Sequence, residues 1–227
     1  CKSQFAAIHH FYDSLCPTCA DLNFAKRHQT ADLSGRTALV TGGRLKSGYH
    51  AVLKLLRAGA EVVATTRFPK DAARRFAAEP DAPEWSERLH LMGLDLRAVP
   101  AVERFAEVFA RRFAYLDVFV SNAAQTVRRP PAYYRGLVAA EREPLALPLA
   151  RDMLASEADF AALVPTSVSS ANWAAELALV PLAPEDCGDA AFPSGALAAD
   201  GDPLDLRSEN SWGLSQEAVG TVELLEV

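Results

Sequence analysis

An α/β fold built on a doubly wound parallel sheet follows from three observations. Short, nearly unbroken apolar runs recur between residues 37 and 120, amphipathic helical patterns separate them, and a glycine-bearing turn joins the first run to the first helix. Strands buried on both faces read as continuous apolar runs, and right-handed crossovers between them wind the helices onto both sides of the sheet.

Each element has its own signal. Residues 37–41 (TALVT) predict the first strand, and the turn Gly42-Gly-Arg-Leu-Lys-Ser-Gly48 follows it. A helix is predicted over 49–58, with Val52, Leu53, Leu55 and Leu56 on its apolar side and Gly59 closing it. Residues 61–66 predict the second strand, and 69–78 a helix opened by Pro69, which a first turn tolerates. The third strand is expected at 89–94. A helix over 99–113 would turn Val102, Phe105, Ala106 and Phe109 to the core. The fourth strand, 116–120, ends in Ser121-Asn122-Ala123-Ala124.

The 227 residues are 50% hydrophobic, enough for a sizeable core and against disorder along the whole length. No run approaches the ~18 apolar residues of a membrane-spanning helix. Twelve glycines and four cysteines exclude a collagen-like or disulfide-dense chain. The net charge of −6 divides unevenly: residues 1–130 carry 19 Lys+Arg against 13 Asp+Glu, residues 131–227 only 4 against 16. An acidic chain argues against nucleic-acid binding, while the basic half suits a phosphorylated small ligand. The sequence opens on Cys1 without a leader pattern or an initiator Met, which suggests a processed or excised piece of a longer chain.

Four regions are expected: a Cys/His-rich segment at 1–34, a nucleotide-binding region at 35–125, an Ala/Pro/acid-rich insertion at 126–215, and the start of a further core helix at 216–227. Nine of the fourteen prolines fall between Pro130 and Pro203. Within the insertion, 149–163 and 171–180 read as short helices, the second capped by Asn172. Arg128-Arg-Pro-Pro-Ala-Tyr-Tyr-Arg135 is a basic aromatic stretch, and the whole is either a lid or a decoration.

A strand-to-helix loop offers free N–H groups to a pyrophosphate, and glycines let the backbone turn and approach it closely. Together with the segments below, Leu33 to Gly48 resembles the opening of the short-chain dehydrogenases/reductases, whose Rossmann-type loop reads T-G-x-x-x-G-x-G. Thr41, Gly42 and Gly48 match, with Lys46 in place of the middle glycine. The resemblance implies a dinucleotide site formed by Thr41, Gly42, Arg44, Leu45, Lys46, Ser47 and Gly48. Arg67 at the end of the second strand joins them, then Asp95 and Leu96 after the third, and Asn122, Ala123 and Ala124 after the fourth, where the family reads N-N-A-G. Arg67 in place of an acid, with Arg44 beside it, favours NADP(H) over NAD(H) through the 2′-phosphate.

Family catalysis implies a Tyr that passes a proton to a carbonyl and a Lys four residues later. Residues four beyond Tyr12, Tyr49, Tyr115, Tyr133 and Tyr134 are Cys16, Leu53, Phe119, Leu137 and Val138, and no lysine follows Lys70. The chain therefore resembles the cofactor-binding half of an oxidoreductase acting on an unidentified small molecule, truncated after the fourth strand and by itself inactive. The alternative is a nucleotide-binding or zinc-dependent interaction scaffold. An open edge at the fourth strand would favour pairing with a second copy.

Cys16-Pro-Thr-Cys19 is a C-x-x-C knuckle, with Cys1 fifteen residues earlier. Cys1, Cys16 and Cys19 predict a structural zinc site, with His9, His10 or His28 as candidate fourth ligand, or a further cysteine upstream of Cys1. A redox pair and plain free thiols are the rivals. Zinc and reduced thiols would both place the protein in the cytoplasm.

Overall fold

The computed structural model describes residues 1–124, 129–156, 172–181, 190–193 and 195–207. It divides into two units, Cys1–Leu33 and Ser34–Val227. The first holds helix α1 (Pro17–Arg27). In the second, β1 (Thr37–Thr41), α2 (Lys46–Arg57), β2 (Glu61–Thr66), α3 (Pro69–Ala77), α4 (Ala82–Trp85), β3 (Leu89–Gly93), α5 (Val99–Arg112) and β4 (Val118–Val120) follow in order. Beyond them come α6 (Pro131–Arg142), α7 (Pro148–Asp152) and a helical turn at Trp173–Glu176.

The sheet is parallel, in the order β3-β2-β1-β4. Its register sets Ala38 opposite Val62 on one side and Val118 on the other. Alternate strand residues serve two buried faces. Leu39, Val63 and Met92 meet Phe105, Val108 and Phe109 of α5, while Ala64, on the opposite side of β2, lies against Gly43 at the approach to α2. Helices thus cover both faces, as a doubly wound Rossmann-like fold requires.

Punctuation in the sequence decides the ends. Proline stands in the first turn of α3, α5 and α6, where its missing N–H removes no helical bond. Gly59 closes α2 with φ +97° and donates its N–H to the Leu56 carbonyl at 3.0 Å.

Differences from expectation have local causes. Helix α2 starts at Lys46, three residues early, because the glycine turn itself winds into it. Strand β4 starts at Val118, not 116, where the Asp117 carboxylate accepts hydrogen bonds from Arg36 and the Thr37 N–H at 2.7 and 2.9 Å. Of the helix predicted over 149–163, residues 157–163 lie outside the described residues, and the described part ends at Asp152. There the chain turns to bridge β3: the Leu91 N–H donates to Met153 O at 2.8 Å and the Ala155 N–H to Leu91 O at 3.0 Å. After Asn172, which stands at the N-cap position without a side-chain cap bond, the helix expected over 171–180 forms as an α-turn at Trp173–Glu176 that continues as a 3-10 turn at Leu177–Leu179. The described part of the predicted insertion belongs to the sheet unit, and the helix expected over 216–227 lies outside the described residues.

At the other edge, β4 pairs with β1, and its Phe119 is 59% exposed. No helix among the described residues is long and apolar enough to cross a membrane.

Candidate functional site

The carboxyl ends of β1, β2 and β4 meet at the glycine loop. Gly42 and Gly43 donate their N–H groups to the Thr65 carbonyl at 2.9 and 3.1 Å, tying the loop to β2. The Thr41 hydroxyl oxygen accepts from the N–H groups of Asn122 and Ala123, both at 3.0 Å. In return, the Asn122 side-chain amide donates to the carbonyls of Thr41 and Gly42, both at 3.1 Å. Two strand ends far apart in sequence are thus clasped by one Thr and one Asn.

Three glycines are sterically required. A Cβ on Gly48 would stand 2.1 Å from the Gly42 carbonyl oxygen and 2.5 Å from the Asn122 amide nitrogen. One on Gly43 would meet the Ala64 Cβ at 2.8 Å. Gly42 takes φ +70°, with the Ala123 Cα 3.0 Å from where its Cβ would lie. Sequence reasoning missed the requirement at Gly43, whose only signal was its place beside Gly42.

Lys46 has φ +51°, the left-handed region in which a side chain is disfavoured. The fold therefore retains here the backbone shape that the family pattern meets with glycine. Helix α2 opens at Lys46 after an extended Leu45, with no side-chain cap bond and no acid in its first turn. Its N-terminal dipole thus faces no acidic side chain of that turn. Ser47 is exposed and Gly48 buried beside it.

The two arginines sit differently from a pair left open to phosphate. Arg44, with 12% of its side chain exposed, bonds Asp71 at 2.9 Å and Asp202 at 2.7 Å. Burial opposes its charge, but Asp202 and Asp71 outweigh burial and raise its pKa. Lys46 has the Asp200 carboxylate at 3.5 Å. The turn around Gly201 is further held by Arg75, which donates to the carbonyls of Asp200 and Gly201, each at 2.9 Å. Tyr133 donates to Asp202 at 2.7 Å; burial and then that carboxylate push its phenol above the ordinary range. Arg67 instead donates to the Tyr134 hydroxyl at 3.0 Å and lies over the ring of Tyr134, 4.6 Å from its centroid.

Asp95 is buried, its carboxylate gripped by Arg97 at 2.7 Å and by the Arg97 N–H at 3.0 Å, while Leu96 beside it is 43% exposed. The structure thus brings Thr41, Gly42, Gly48, Asn122 and Ala123 into one cluster, with Ala124 exposed beside it. The acidic partners Asp71, Asp200 and Asp202 and the aromatic pair Tyr133–Tyr134 were missed as site residues. Asp202 lies 158 residues from Arg44, so no spacing rule links them.

The cysteines of the first unit also converge. The Cys1 sulfur is 3.3 Å from those of both Cys16 and Cys19. The histidines turn elsewhere: His9 Nδ1 accepts from the N–H groups of Phe11 and Tyr12, and His28 Nδ1 meets the Phe24 carbonyl at 2.8 Å.

Sequence comparison meets this geometry at the same residues. Residues 36–135, from the start of β1 into α6, match the short chain dehydrogenase family. An uncharacterised protein of Acanthamoeba polyphaga mimivirus is 37% identical over 134 residues, 56% of this chain and 28% of its own length. A probable oxidoreductase of Streptomyces lividans is 39% identical over 92 residues, covering 40% and 29%. A short chain dehydrogenase/reductase of Colletotrichum higginsianum is 37% identical over 99 residues, covering 42% and 24%. The matched stretch spans less than a third of each of these relatives. Through residues 36–135 the chain is thus similar to the short-chain dehydrogenases/reductases.

Proposed function

We propose that the sheet unit binds NADP(H) for an oxidoreductase acting on a small carbonyl or alcohol, and that it supplies cofactor binding rather than the family's proton donor. The observation that carries this reading is the close backbone approach at Gly48. Where a Cβ would strike the Gly42 carbonyl, the first turn of α2 lies directly against the loop, the cradle a pyrophosphate needs. Bound there, the nicotinamide would supply the hydride. The N–H groups at the start of α2 would hold the pyrophosphate, and Thr41 and Asn122 keep the loop in shape.

Arg44 and Arg67 are the groups for a 2′-phosphate. Asp202 now stands where such an anion would pair with Arg44, so NADP(H) binding exchanges one anionic partner for another. That same contact supports a second reading, in which the fold is a scaffold whose own acidic turn has taken the ligand's place. A structural zinc site at Cys1, Cys16 and Cys19 would suit a cytoplasmic setting, where thiols stay reduced.

Calorimetric titration with NADPH and NADH separates the two. Cofactor binding predicts that NADPH binds more tightly than NADH. Arg67→Ala should weaken NADPH about tenfold, and Asp202→Asn should tighten it without affecting NADH. If neither nucleotide binds the folded wild-type protein or its Asp202→Asn variant, the scaffold reading stands.

A further inference from the structure

The first unit lacks the means to hold itself together by apolar burial. Of Cys1–Leu33 only Ala20 is buried, while Ile8 is 74%, Leu22 56% and Phe11 49% exposed. A unit this short generally needs a disulfide, a metal or a partner to keep one conformation. Yet its chain is drawn into a defined shape, with Cys1 brought back to the helix N-cap, Cys16, fifteen residues later.

That return ends at sulfur. The ligand atoms of Cys1, Cys16 and Cys19 all lie within 4.8 Å of one another, and the three cysteines are free. At 3.3 Å the contacts are well outside the ~2.05 Å of a disulfide. Three sulfurs in a triangle cannot be satisfied by one disulfide in any case, since one thiol is always left over.

Cys16 is the N-cap of α1 and Cys19 lies in its first turn. One helical turn therefore carries both sulfurs on the same side, with Pro17 fixing the backbone between them. No acid occupies this first turn, so thiolate charge meets the positive helix end without a competitor.

We propose that Cys1, Cys16 and Cys19 bind one Zn(II) ion as thiolates, and that the ion staples residues 1–33. An all-sulfur set suits a soft or borderline ion over magnesium or calcium, and zinc accepts tetrahedral thiolate sites without redox chemistry. On binding, each thiol loses its proton to solvent and forms one S–Zn bond. The three cysteines fill three corners. Among the described residues no further His, Cys, Asp or Glu ligand atom joins the group, and the Cys1 amino group lies 3.4 Å from the Cys19 sulfur.

The test uses the full chain, expressed with zinc and dialysed without chelator, and reads zinc by elemental analysis beside a count of reactive thiols. One zinc per chain is expected, with three thiols protected until a chelator removes the ion. Cys16→Ser and Cys19→Ser should each lower the retained zinc at least tenfold, and Cys187→Ser should not. Cobalt(II) in place of zinc should give tetrahedral visible bands and a thiolate charge-transfer band that Cys16→Ser diminishes. Zinc-free protein with all thiols reactive would overturn the proposal. So would a disulfide between any two of the three, or undiminished zinc in the Cys16→Ser/Cys19→Ser double variant.

Discussion

The sheet and the acidic layer bound to it are held by different forces. In β1, β2 and β3 the side chains of Ala38, Val40, Val62, Val63, Ala64, Leu89, Leu91 and Met92 are each 0% exposed, and apolar burial joins the parallel backbone ladder in holding them. In the layer formed by α6 and residues 195–207, charge and hydrogen bonding act beside an apolar cluster of Phe68, Tyr134, Leu137 and Val138. Glu141 of α6, fully buried, accepts the N–H groups of Lys70 and Asp71 at 2.9 and 2.6 Å, capping the first turn of α3 from outside that helix. Asp202 holds Arg44, and Asp205 pairs with both Arg129 and Arg207. Burial by area is indifferent to pH and tolerant of salt, whereas carboxylate–guanidinium contacts depend on both. The difference assigns the sheet to shape and the acidic layer to response.

The comparison can be broken most directly in the sheet. Met92→Ala should destabilise the unit by about 2–5 kcal/mol, read as a fall in the urea midpoint. A loss no larger than that of a surface substitution would mean that the acidic layer, not the apolar core, holds the strands. Gly48→Ala comes next. Its new methyl meets the Gly42 backbone carbonyl as well as the Asn122 side chain, so about 1–3 kcal/mol of stability should be lost, together with NADPH binding. Retained binding would remove the loop from the proposed site.

Acid should separate the two regions. Burial pushes the Asp71 carboxyl up, but Arg44 and Arg75 outweigh it and leave the pKa below the ordinary value. Asp205 is likewise held low by Arg207 against burial, and Asp200 by the Asp202 N–H. A folded-state pKa below the unfolded one gives stability that is present above the ordinary aspartate range and lost as pH falls through the folded values. Between neutrality and about pH 3 the Tm of the wild type should therefore fall more steeply than that of Asp71→Asn. Parallel curves would show that Asp71 contributes no linkage. The smallest effect is a gain: Lys46→Gly relieves a left-handed backbone and should raise stability by about 1 kcal/mol.

Much of the sheet was legible because its signals are local. The apolar runs at 37–41 and 61–66 became β1 and β2 with the same bounds, and Pro69 and Gly59 mark helix ends by properties of their own backbones. The glycine loop was legible in its spacing, and the strain at Lys46 stands where its sequence departs from the family pattern. The 149–163 helix was misread because apolar periodicity does not reveal that Leu154 will leave the helix to bridge Leu91.

The sequence by itself determined the alternation of strand and helix, the position of the glycine-bearing turn and the cysteine knuckle. Each is written within about twenty residues, over which backbone preference and apolar periodicity act. Only the tertiary structure decided that Asn122 clasps the loop, that Arg67 turns to Tyr134 and that Asp202 occupies Arg44. Those contacts join residues 67 to 158 positions apart. A charge finds its partner across such a distance only after the apolar sheet has folded and fixed where each side chain can reach.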